Sequence, residues 1–136
     1  MDIPKRISKT LRLDIGSSAN KRQELKAYFN QTFDLYESLF KLICRDESYY
    51  EQAEPLRHPL IFYFGHTATF FINKLLLAKL IETRINPEFE AMFAIGVDEM
   101  SWDDLNDAHY DWPSVSAVQD YRDQVRARVN QLIDAV

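Results

Sequence analysis

Leu60-Ile61-Phe62-Tyr63-Phe64-Gly65-His66-Thr67-Ala68-Thr69-Phe70-Phe71-Ile72-Asn73-Lys74-Leu75-Leu76-Leu77 decides the fold. The stretch is apolar nearly all the way round, as expected of the most central helix of a soluble domain. Pro59 suits the first helical position, and the pattern predicts a helix from there to about Thr83. Its length could pass for a membrane span, but His66, Asn73, Lys74 and Lys79 are too polar for a lipid-facing helix. The reading is a buried helix of a cytoplasmic protein that neither spans nor binds a membrane.

Working outward, apolar residues at Leu25, Tyr28, Phe29, Phe33, Tyr36, Leu39, Phe40 and Ile43 recur at steps of three and four. They predict an amphipathic helix from about Ala19 to Arg45. Residues 1–18 read as an arm that ends in Gly16-Ser17-Ser18, leaving 19–136 as the domain. Asp46 to Arg57 is a polar connection with a short helical turn at Ser48-Tyr49-Tyr50. Asn86-Pro87 starts a third helix that Gly96 stops. Ser114 or Ser116 caps a fourth, with Val118, Tyr121, Val125, Val129, Leu132 and Val136 on its apolar face. The class is all-α, an up-down-up-down four-helix bundle with a long acidic loop between helices 3 and 4.

Composition narrows the function classes. The 136 residues are 46% hydrophobic and 27% charged with a net charge of −5, and no basic face offers itself to nucleic acid. The single cysteine, Cys44, excludes a disulfide framework and a cysteine-built zinc cluster. No phosphate-binding loop, dinucleotide fingerprint or nucleophile elbow is present. No catalytic residue is assigned.

Chemistry centres on the histidines His58, His66 and His109. His58 and His66 are eight residues apart, about 12 Å along a helix, too far for one metal. Following Phe62 at steps of four, three and four, His66, Thr69 and Asn73 form a polar line down one side of the apolar helix. Such groups must find partners when buried. His66 is therefore either a core histidine satisfied by a neighbour or one ligand of a metal shared between helices. Thr69 and Asn73 are candidates to support it from behind. In the acidic segment a calcium loop of the EF-hand type fails at Leu105 or Ala108 and lacks its glycine. Asp98, Glu99, Trp102, Asp103, Asp104 and Trp112 read instead either as solvated acids on a loop held by its aromatic anchors or as a docking loop, because bundle topology does not need its length and aromatics enrich interface cores. A homodimer is one way to cover such a surface.

Several strings resemble the DinB-like domain of the ovothiol synthases, the 5-histidylcysteine sulfoxide synthases. They are Leu56-Arg57-His58-Pro59-Leu60-Ile61-Phe62-Tyr63-Phe64-Gly65-His66-Thr67, Arg84-Ile85-Asn86-Pro87, and Gly96-Val97-Asp98-Glu99-Met100-Ser101-Trp102-Asp103-Asp104-Leu105. Lys21 through Tyr36, Tyr110-Asp111-Trp112-Pro113 and Tyr121-Arg122 add to the likeness. The ergothioneine sulfoxide synthases share a weaker version around Gly65-His66-Thr67. The resemblance implies a helical bundle that helps to hold a non-haem iron, Fe(II), and packs on a formylglycine-generating-enzyme-like catalytic domain. That enzyme uses oxygen to join cysteine sulfur to histidine imidazole as a sulfoxide. It implies His66 as one iron ligand, and His58 and His109 as structural or loop residues. The family's other ligands lie in a His-x-x-x-His-x-Glu element that this sequence lacks. The expectation is therefore a part of a longer enzyme, inactive alone and holding no metal stably. A metal-free interaction or dimerisation module, or a small metal-dependent thiol transferase or hydrolase, are the other readings.

Overall fold

The Ser17 side chain accepts a hydrogen bond from the Asn20 amide and caps the first helix, α1, Ser18–Phe40. The computed structural model describes residues 10–95 and 111–136. α1 is shorter than its periodicity predicts. The amides of Leu42 and Ile43 bond three residues back, to Leu39 and Phe40, and this tightened turn closes the helix. A 3-10 turn follows at Asp46–Tyr49, two residues before the predicted one.

α2 is Leu60–Leu77, with Pro59 as its cap in extended conformation and not its first turn. Its end lies well short of the predicted Thr83. Lys79 adopts a left-handed φ of 59°, the Leu80 amide bonds the Leu75 carbonyl and the Lys79 amide bonds that of Leu76. This is the Schellman arrangement, normally built on glycine. α3 is a short helix, Pro87–Met92, capped by the Asn86 side chain. α4 is Val115–Ala135, and of the two predicted serine caps Ser114 serves, accepting from the Ala117 amide.

Among the described residues these helices are joined by no strand, in agreement with the all-α expectation. The charged part of the acidic loop (Asp98, Glu99, Asp103, Asp104), Trp102 and His109 lie outside the described residues.

Two compact units emerge. In the first, α1 runs antiparallel to the end of α4. Asn30 and Asn130 exchange amide hydrogen bonds at 2.8 and 3.1 Å, Lys26 pairs with Asp134 at 2.8 Å, and Arg22 bonds the Val136 carbonyl. Phe29 and Phe33 are its buried aromatics, 5.4 Å apart. The second unit, Cys44–Arg126, holds α2, α3 and the first part of α4. Ile61, Phe62, Ala68, Ile72, Phe93, Val118 and Val125 are fully buried. Among the described residues α2 is the one helix long and apolar enough to cross a membrane. Two of its polar side chains, His66 and Asn73, nevertheless find partners on α3 and its C-cap.

The left-handed conformation at Lys79 costs a β-carbon-bearing residue about 1 kcal/mol. Lys79→Gly is expected to stabilise the protein by an amount of that order and to raise the thermal midpoint by a few degrees, read by calorimetry. An unchanged or lower midpoint would show that Lys79 does not sit in this turn.

Candidate functional site

A six-residue helix cannot satisfy its own last carbonyls. At the end of α3 and just beyond it, carbonyls are taken up by side chains from α2 and from His58, two residues before it. The Asn73 amide donates to the Glu90 carbonyl at 3.0 Å. His66 Nδ1 donates to the Phe93 carbonyl at 2.8 Å, and His58 Nε2 to the Ile95 carbonyl at 3.0 Å. A carbonyl only accepts, so each ring nitrogen named must carry a proton. The two imidazoles thus present opposite nitrogens to the same strip of backbone.

The close approach depends on Gly65. A β-carbon there would lie 2.5–2.6 Å from three ring carbons of Phe93, far inside contact distance. Phe93 is wholly buried, its ring centroid 6.2 Å from that of Phe62 and stacked at 6.1 Å on Trp112. Phe62 lies flat between the two histidines, 3.9 Å from His58 and 5.6 Å from His66, both stacked. His58 is buried in this cluster, whereas His66 is half-buried at its edge beside Phe70. Trp112, predicted as part of a docking loop, is half-buried against His58, Phe62 and Phe93.

Of the residues predicted to support His66, Thr69 is fully buried and donates to the His66 carbonyl within its own helix. Asn73 joins a different network. Besides holding the Glu90 carbonyl, its side-chain oxygen accepts from Arg84 at 2.8 Å. Thr69 and Asn73 thus lie along the His66 stripe, but the hydrogen bond to the imidazole comes from α3.

Two buried charges escaped the sequence reading. The Glu90 carboxylate, 1% exposed, accepts from the Asn86 amide at 2.7 Å and the Tyr121 hydroxyl at 2.8 Å, with Arg84 at 3.4 Å. Arg122, 0% exposed, donates from Nη1 to the Phe64 carbonyl at 2.6 Å and the Thr67 hydroxyl at 2.7 Å. Its guanidinium lies 4.9 Å from the centre of the Phe64 ring.

His66 has the geometry of a metal-ligating imidazole, in which one nitrogen donates to a carbonyl and the other is left to bind. His58 bonds a carbonyl through its other nitrogen, but it is buried where His66 is half-buried. His58 commits Nε2 to Ile95, and among the described residues no three histidine, cysteine, aspartate or glutamate side chains converge. Among the described residues, His66 has no full set of metal-ligating side chains converging on it.

Residues 28–136 match the profile of the DinB superfamily. No curated protein matches the chain.

Burial, and then the hydrogen bond to Glu90, push the Tyr121 phenol far above its ordinary value of about 10. Folding therefore favours the protonated phenol, and this stabilisation is present below pH 10 and lost as pH rises above it. Tyr121→Phe is expected to cost about 1–3 kcal/mol at neutral pH by taking a donor from a buried carboxylate. It should also flatten the fall of stability above pH 10. Urea midpoints measured from pH 7 to 11 test both effects, and parallel wild-type and variant curves would contradict the second.

Proposed function

The chain belongs to the DinB superfamily, and from that premise we propose that it is the helical domain that lends His66 to the non-haem iron of an oxygen-dependent sulfoxide synthase of the ovothiol type. The observation that carries the reading is the Nδ1 hydrogen bond of His66 to the Phe93 carbonyl, which orients the ring and leaves Nε2 as the coordinating atom. The likeness of Leu56 through Thr67 to the ovothiol synthases supports the same assignment. The remaining ligands come from outside the described residues. The up-down-up-down bundle and a cytoplasmic location belong to this proposal.

In that reading the chemistry belongs to the complete enzyme, where iron and oxygen join cysteine sulfur to histidine imidazole as a sulfoxide. The part played by this chain is to hold one imidazole at fixed orientation, on a helix whose polar face is otherwise satisfied. A formylglycine-generating-enzyme-like domain, in the same chain or another, is the partner that completes the site. The lack of three converging ligands among the described residues favours a second reading, a metal-free interaction module.

Anaerobic titration with Co(II), as a stand-in for Fe(II), separates the two. The chain alone is expected to bind weakly and substoichiometrically, with the metal perturbing the His66 ring resonances. His66→Ala should abolish that binding and His58→Ala should keep it. With iron, cysteine, histidine and oxygen the chain alone should form no coupled product. Fused to the catalytic domain of an ovothiol synthase, it should restore stoichiometric iron and turnover, both lowered by His66→Ala. Metal that never touches His66 would leave the interaction module standing, and tight stoichiometric metal on the chain alone would mean that it holds a full ligand set.

A further inference from the structure

We propose that Gly65 is a positioning residue for His66: by admitting the Phe93 ring against α2 it brings the Phe93 carbonyl to His66 Nδ1 and so selects the tautomer whose Nε2 is bare. The Phe93 carbonyl belongs to the unsatisfied end of α3, so it seeks a donor from a neighbouring element. It can reach His66 only if α3 lies close to α2 at that level. A β-carbon on residue 65 would meet the Phe93 ring at 2.5–2.6 Å, with atoms as near the backbone as Cγ, so a ring rotation does not relieve it. The ring has no room to retreat, being fully buried between Phe62, Phe89 and Trp112. An added methyl must therefore move the α3 backbone, and the 2.8 Å bond to His66 goes with it.

The consequence is chemical as well as steric. A neutral histidine side chain in water favours the proton on Nε2, the nitrogen that a metal would need bare. The carbonyl reverses that preference before any ligand arrives, and His58, which faces the Ile95 carbonyl through Nε2, keeps the other arrangement. Two histidines on one strip of backbone are thereby sorted into opposite tautomers, His66 with Nε2 unprotonated and His58 with Nδ1 unprotonated. The use of this sorting for a metal rests on the function proposed above, whereas the tautomer itself does not.

The test uses nitrogen-15 NMR of the metal-free full chain, at a pH where the imidazoles are neutral. His66 is expected to carry its proton on Nδ1 and His58 on Nε2. Gly65→Ala should shift His66 toward the Nε2-protonated form and weaken Co(II) binding about 10- to 100-fold, the usual loss when an orienting partner is removed. Gly65→Ala combined with Phe93→Ala, which removes the colliding ring but keeps the carbonyl, should recover the Nδ1 proton. Val125→Ala, a destabilising change at a fully buried residue of α4 in the same unit, should leave the tautomer alone, which separates positioning from general loosening. Wild-type His66 protonated on Nε2 would overturn the proposal even if Gly65→Ala fails to fold. So would a folded Gly65→Ala that keeps the Nδ1 proton, or a double variant no better than the single one. If the tautomers come out as expected but Co(II) leaves His66 untouched, the positioning role stands and the metal reading falls.

Discussion

Everything around His66 follows from the shortness of α3. A helix of six residues spends a large share of its peptide groups on its ends, and its last carbonyls point at α2 with no amide of their own to accept from. Asn73 and His66 answer them at Glu90 and the C-cap Phe93, and His58 meets the Ile95 carbonyl just beyond. The partners advance along α3 as the donors retreat along the chain, which is the signature of antiparallel neighbours. A polar stripe that would cost free energy in an apolar helix is thus turned into the attachment of that helix to its neighbour.

The same economy of partners explains the buried ions. Glu90 uses its backbone carbonyl for Asn73 and its carboxylate for the Asn86 amide and Tyr121, so one residue closes the start of α3 and ties it to α4. The capping residue Asn86 accepts from Phe89 in return, which gives the reciprocal bonding of a capping box with the acid one position later than usual. Removing one partner of such a group is more damaging than the group is stabilising, because the other is left without solvent.

Much of this was legible in the sequence, and the failures have physical causes. The periodicity of α1 and α4 and the cap at Asn86 can be read from residues alone, whereas α2, expected to be buried nearly all round, leaves Leu60, Phe70 and Leu77 exposed. The end of α2 could not be read, because the left-handed stop is built on Lys79 where the familiar signal is glycine. His66 stood out as polar on an apolar helix, but its partner is a backbone carbonyl, which no side-chain pattern reports. Gly65 was visible only as part of a family-like string, and its reason is a ring 28 residues away in sequence. The burial of Arg122 and Glu90 was not legible, because nothing in helical spacing distinguishes a charge that turns inward.

Arg122 has a mechanical consequence for the imidazole it never touches. It clamps α2 at the Phe64 carbonyl and the Thr67 hydroxyl, while the carbonyls of α3 hold His66 and Asn73 on a face well round the helix. Neighbouring residues of an α-helix differ in direction by about 100°. A helix gripped from two such directions can neither roll nor slide by a residue without breaking charge-assisted bonds on one side. The azimuth of the His66 ring is therefore fixed as firmly from α4 as from α3, like an axle keyed at two points.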